Sequence, residues 1–118
     1  MNRRRLEHTA REVLPYLHDD EFEMSVWACQ TAACAFGSEA LSKYGKENGL
    51  TVKRTKDPNE FAGFIRYRGK IGCTAAALYY DISGADASWL FAAWSYTAEI
   101  VTPVMVAERI ESLLACEA

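Results

Sequence analysis

Between residues 50 and 72 the hydrophobic period of this chain changes from that of a helix to that of a strand. Leu50-Thr51-Val52-Lys53-Arg54-Thr55 alternates apolar and polar residues, as a half-buried strand must when successive side chains leave on opposite faces. Lys56-Asp57-Pro58-Asn59-Glu60 is turn chemistry, because Pro presets its φ while Asp and Asn bond to their own backbone. A second run over Phe61–Tyr67 follows, and Arg68-Gly69 or Gly69-Lys70 turns the chain into a short third strand at Lys70–Gly72. Strands joined by such short turns pair antiparallel, so neither an all-helical bundle nor a parallel sheet fits this chain.

The flanks have a helical period. Leu6, Ala10, Val13, Leu14 and Leu17 share one helix face, with a kink or fresh turn expected at Pro15, whose ring collides with the carbonyl of Arg11. His18-Asp19-Asp20-Glu21 is a polar connection, and residues 22–29 alternate weakly as an extended lead-in. Thr31 can cap the next helix, whose buried stripe is Ala33, Phe36, Ala40 and Tyr44 and whose end is Gly45 or Gly49. In the last third, Ala75, Leu78, Tyr79 and Ile82 form one stripe, and Ala87, Leu90, Phe91 and Trp94 form the next. Ser83 with Asp86 is a capping-box-like start, and Thr102-Pro103 opens a final helix with Val106, Ile110, Leu113 and Leu114 inward. The expectation is one α+β domain over residues 1–118, with about five helices packed on a two- or three-stranded antiparallel sheet. Helices are expected near 3–14, 31–44, 74–81, 84–94 and 103–115.

Half of the 118 residues are hydrophobic and a quarter are charged, the composition of a chain that folds around a core. No apolar run approaches the roughly 20 residues that span a bilayer, so no membrane partner is expected. Arg3-Arg4-Arg5 is not followed by an apolar stretch, which argues against a leader and makes the cytoplasm the expected compartment. The four cysteines, Cys29, Cys34, Cys73 and Cys116, include no C-x-x-C pair, and the only histidines are His8 and His18. Reduced, buried structural thiols are therefore expected, with no metal site and no cofactor.

The segment Phe22-Glu23-Met24-Ser25-Val26-Trp27-Ala28-Cys29-Gln30-Thr31-Ala32-Ala33-Cys34-Ala35-Phe36-Gly37 resembles a pattern, F-x-M-x-x-W-x-C-G-T-x-A-C-x-x-G, found in small uncharacterised phage and prophage proteins. Residues 75–83, 87–91 and 102–110 also resemble stretches of that family, so the likeness covers most of the chain from residue 22 onward. Gln30 stands where the family usually has Gly. The resemblance implies a phage-like origin and brings no activity with it.

Three places are candidates for function. Cys29, placed just before a helix start with Trp27, Thr31 and Cys34 beside it, is where a thiolate would be favoured by the positive end of the helix. A thiol enzyme also needs a base, and nothing in the sequence pairs His8 or His18 with Cys29. The helix pair around Ile82-Ser83-Gly84 has the apolar spacing of a helix-turn-helix at Ala77, Ile82 and Leu90. Residues 84–94 nevertheless contain Asp86 and no Lys or Arg, which suits packing and not DNA phosphates.

The third place is the sheet itself. Residues 43–70 carry eight basic and three acidic side chains, while residues 71–118 carry one basic and six acidic. Lys53, Arg54, Lys56, Arg66, Arg68 and Lys70 fall on or beside the strands, and alternation puts Phe64, Arg66 and Arg68 on one face. A cationic edge of this kind suits an acidic protein partner. Single-stranded nucleic acid, with bases stacked on Phe64, is the alternative. No P-loop, G-x-S-x-G, H-E-x-x-H or G-x-G-x-x-G is present, so no catalytic residue is assigned. The leading expectation is a small phage-type protein-binding module, of which an inhibitor of a host defence or regulatory protein is one form.

Overall fold

The computed structural model describes residues 1–17, 35–53, 64–97 and 101–116. Helix α1, Arg3–His8, starts at Asn2, whose side chain accepts the Arg5 N–H at 3.1 Å. Beyond His8 the chain stays helical but changes pitch, widening to a π turn over Thr9–Val13 and tightening to a 3₁₀ turn over Leu14–Tyr16. The wide turn lets the Leu14 N–H reach the Thr9 carbonyl just before Pro15, which has no N–H to give. Leu6, Ala10 and Leu14 are buried as their spacing predicts.

The expected helix over 31–44 starts outside the described residues, and its described part is broken at Ser42 into α2, Ala35–Leu41, and α3, Lys43–Glu47. Ser42 makes the break. Its backbone is extended, and its hydroxyl donates to the Glu39 carbonyl at 2.6 Å and accepts from the Gly45 N–H at 3.0 Å. A short hydroxyl side chain that competes for backbone groups in this way ends one helix and caps the next. Helix α2 is buried from Ala35 to Ala40, Ser38 and Glu39 included, so the expected apolar stripe was too narrow.

Strands β1 (Thr51–Lys53), β2 (Phe64–Tyr67) and β3 (Lys70–Ile71) form an antiparallel sheet in that order. Thr51 faces Arg66 and Lys53 faces Phe64 across the first ladder, while Arg66 faces Ile71 and Tyr67 faces Lys70 across the second. Arg68 and Gly69 close the β2–β3 hairpin with φ of 50° and 79°, the left-handed pair that a two-residue hairpin turn needs. Gly72 was expected to end β3; at φ 61° it instead swings the chain directly into α4, Gly72–Tyr80.

Helix α4 turns Ala75, Ala76, Tyr79 and Tyr80 inward, and Leu78, expected in the core, is 45 % exposed. The two tyrosines, adjacent in sequence, take the inner face and leave Leu78 on the outer one. Asp81 in the left-handed region ends α4, and Ser83 caps α5 (Gly84–Phe91) by accepting the Asp86 N–H at 3.0 Å. Helix α5 stops at Phe91 because Ala92 is extended, and a 3₁₀ turn over Ala93–Ser95 follows. The helical period therefore fails before Trp94, which is 80 % exposed and not a core residue. Helix α6, Pro103–Cys116, buries Val106, Ile110 and Leu114.

An aromatic cluster joins these elements. Tyr80 stacks on Phe91 with ring centroids 5.3 Å apart, and Tyr79 meets Tyr80 edge-on at 4.8 Å. Phe36 from α2 lies within 6.0 Å of both tyrosines and of Phe91. Rings that bury on the order of 150–250 Å² each dominate a core of this size. Arg109 ties α6 to the end of α5, donating to the Trp89 carbonyl at 2.6 Å and the Ser95 carbonyl at 3.0 Å while its guanidinium lies 3.6 Å from the Tyr96 ring. No described helix is long and apolar enough to cross a membrane.

Candidate functional site

The basic surface condenses at the tip of the β2–β3 hairpin. Arg66, Arg68 and Lys70 are all exposed; alternation put Arg66 and Arg68 on one face with Phe64, but Arg68 belongs to the turn and not to the strand. Arg66 points outward between the buried Ile65 and Tyr67. Arg68 sits in the turn, 5.1 Å from the Tyr67 ring, and Lys70 opposes Tyr67 from the edge strand. The cations therefore surround the tip. Ile71, opposite Arg66, adds an apolar contact at 47 % exposure.

These three cations differ from most other cations among the described residues. Arg11 makes a two-pronged contact with Glu111 at 2.8 and 3.0 Å, which also holds the Glu111 carboxyl below its ordinary range. Arg3 donates to the Leu114 carbonyl at 2.9 Å and Lys43 pairs with Glu47 at 3.8 Å. Arg5 donates to the Tyr79 carbonyl at 2.9 Å and lies over the Tyr79 ring at 4.4 Å. Among the described residues the side chains of Arg66, Arg68 and Lys70 form neither an ion pair nor a hydrogen bond, a status shared by Arg4 and Lys46; Arg5 and Arg109 also lack an ion pair but are held by hydrogen bonds.

Of the other candidates, Lys53 and Phe64 are in register across β1 and β2 by their backbones. Arg54, Lys56, Trp27, Cys29, Thr31 and Cys34 lie outside the described residues, as does most of the phage-like segment. Cys73 is half-buried, and burial pushes its thiol up, against a smaller opposing effect of the Ser88 hydrogen bond. Cys116 is exposed, contrary to the expectation of a buried thiol, because it lies at the end of α6 two positions past Leu114, off the core stripe. Among the described residues no group of three or more His, Cys, Asp and Glu side chains could hold a metal ion.

A buried polar centre lies apart from all the candidates read from the sequence. Glu39, on α2, has no solvent exposure. Both its oxygens lie within 2.9 Å of His8 Nδ1; Thr9 donates to it at 2.7 Å and Tyr79 at 3.2 Å. A carboxylate only accepts, so Nδ1 carries the proton on that side. With its own proton given to Glu39, Thr9 Oγ1 accepts from the Tyr80 hydroxyl at 2.7 Å. Burial and the neighbouring Glu39 carboxylate push the Tyr79 phenol far above its ordinary range, so it remains a donor. Such a group costs several kcal/mol to bury unless donors surround it, and here α1, the π turn and α4 each supply one. Glu39 was missed because an acidic residue in a helical run reads as solvent-facing; only its place between Phe36 and Ala40 on a short apolar helix hinted otherwise.

The His8 ring is held on its second side by Tyr44, stacked at 4.2 Å. Its outer nitrogen, Nε2, opens on a polar cleft of about 380 Å³ lined by Arg4, Glu7, His8, Arg11, Glu12 and Tyr44. A second depression of about 380 Å³, floored by Leu14, Pro15, Pro103 and Ala107, lies against α6. No protein-family model, curated protein or solved structure matches this chain.

Proposed function

We propose that the chain is a small protein-binding module that docks an acidic partner on the tip of its β2–β3 hairpin. The unneutralised state of Arg66, Arg68 and Lys70, beside arginines that the fold ties to its own acceptors, carries this reading. Clustered like charges repel one another, and an acidic surface that meets them offsets that cost and speeds encounter. Ile71 supplies the apolar contact that such a surface needs at its centre. Together with the phage-like resemblance, this suits a phage protein that acts in the host cytoplasm on a regulatory or defence factor.

The same cations could instead follow a nucleic-acid backbone, and one experiment separates the two. Capture from nuclease-treated and untreated host lysate is compared for the native chain and for Arg66→Glu with Lys70→Glu. The proposal expects an acidic protein that survives nuclease treatment and is lost with the double reversal. Capture that disappears with nuclease would assign the hairpin to nucleic acid, and capture indifferent to the reversal would remove the hairpin from function.

A further inference from the structure

The cleft over His8 is independent of the hairpin, and we infer that it is a binding site for a small oxyanion, a phosphate or carboxylate group, held by His8 Nε2 and Arg4. Its floor is unusually well fixed. Nδ1 of His8 is committed to Glu39 at 2.8 Å, and the ring face is committed to Tyr44 at 4.2 Å. The imidazole can therefore neither flip nor swing, and Nε2 is the atom left to face the cleft. Because Nδ1–H serves an acceptor-only carboxylate, protonation of His8 adds its donor at Nε2, aimed outward. Packing of α1 against α2 explains the inner nitrogen, while the outer one faces Glu12, one turn further along the chain, at 3.5 Å.

The cationic partner is Arg4, which lines the cleft, is exposed and forms no ion pair among the described residues. Arg11 borders the same space but is oriented by Glu111 at 2.8 Å. Two carboxylates also line the cleft. Glu7 is shared between Arg3 and Arg11, each at 3.7 Å. Glu12 is different: its side chain is 70 % exposed, and its Oε2 stands 3.5 Å from His8 Nε2. That distance is too long for a good hydrogen bond and short enough to show which charge the nitrogen attracts. Glu12 occupies the approach that an external oxyanion would take, so it acts as an internal competitor that a bound ligand displaces.

The test is a titration of the isotopically labelled chain with sodium phosphate and, separately, sodium acetate, followed through the backbone amides of residues 4–12 and 44. Saturable shifts at these amides are expected with phosphate. Removing the competitor by Glu12→Gln should tighten binding about threefold, the worth of one exposed ion pair, and Arg4→Ala should weaken it by a similar factor. Both residues are surface-placed, so neither variant depends on refolding a core. His8→Gln should abolish the shifts while the amide spectrum elsewhere stays folded. Acetate shifts that respond to the same substitutions would extend the ligand class to carboxylates; phosphate shifts alone would restrict it to phosphates. No saturable shift with either anion, or shifts unmoved by both Glu12→Gln and Arg4→Ala, would overturn the assignment.

Discussion

His8 Nδ1 lies 2.8 Å from Oε2 of Glu39, a carboxylate with no solvent exposure, and the contact joins the first helix to the second. Helix α1 reaches the core through Leu6 alone among its buried residues, so this polar contact is a main part of its attachment to α2. Removing one member of a buried pair leaves the other charge without its partner, at a cost of about 3–5 kcal/mol. His8→Ala is therefore expected to lower unfolding free energy by about 3 kcal/mol in urea titration. A loss under about 1 kcal/mol would mean that Thr9 and Tyr79 suffice for Glu39.

Gly45 makes a sharper steric prediction. A Cβ added there would run into the backbone carbonyl of Glu39, which cannot swing aside as a side chain can. Gly45→Ala should destabilise by about 2 kcal/mol through overpacking and a forced shift of the α2–α3 junction. Gly84, at the first position of α5 with nothing within 4 Å, is the control. Gly84→Ala should be neutral or gain about 0.5 kcal/mol. Thermal unfolding of the pair checks both, and equal midpoints would contradict the account of the junction.

What could be read from the sequence follows how local each signal is. The Ser83 cap and the Thr102-Pro103 start rest on residues close in the chain and stand in the structure, and of the two turns expected the structure has the one at Arg68-Gly69. The alternation at Ile65, Arg66 and Tyr67 is equally local and gives the right inner face. Trp94 and Leu78 were misplaced because a stripe cannot show where Ala92 breaks the period, nor that Tyr79 and Tyr80 together claim the inner face. Ser42 was overlooked because a serine in a helical run has no mark of its own. His8 and Glu39 lie 31 residues apart, and only the fold brings them together.

The cysteines differ in reactivity. The thiolate is the nucleophile, so the raised Cys73 pKa keeps that residue protonated and slow at neutral pH. Cys116 is exposed, so reagent reaches its sulfur freely. Iodoacetamide at neutral pH, with peptide mapping by mass spectrometry, should label Cys116 well before Cys73. Equal rates would contradict the half-buried placement of Cys73.

The hairpin tip carries the central claim, and its charge can be reversed with little disturbance to the fold. Arg66 and Lys70 are exposed and unpaired among the described residues, so Arg66→Glu with Lys70→Glu should leave thermal stability almost unchanged. Arg68 is left alone because it occupies a left-handed turn position and lies over Tyr67. The direct measurement is the association rate with the captured acidic partner as ionic strength is raised, for the native chain and for the double reversal. The account predicts a native rate that falls steeply with salt, and a variant rate that starts at least about tenfold lower and hardly changes. Equal rates with the same salt slope in both proteins would contradict it.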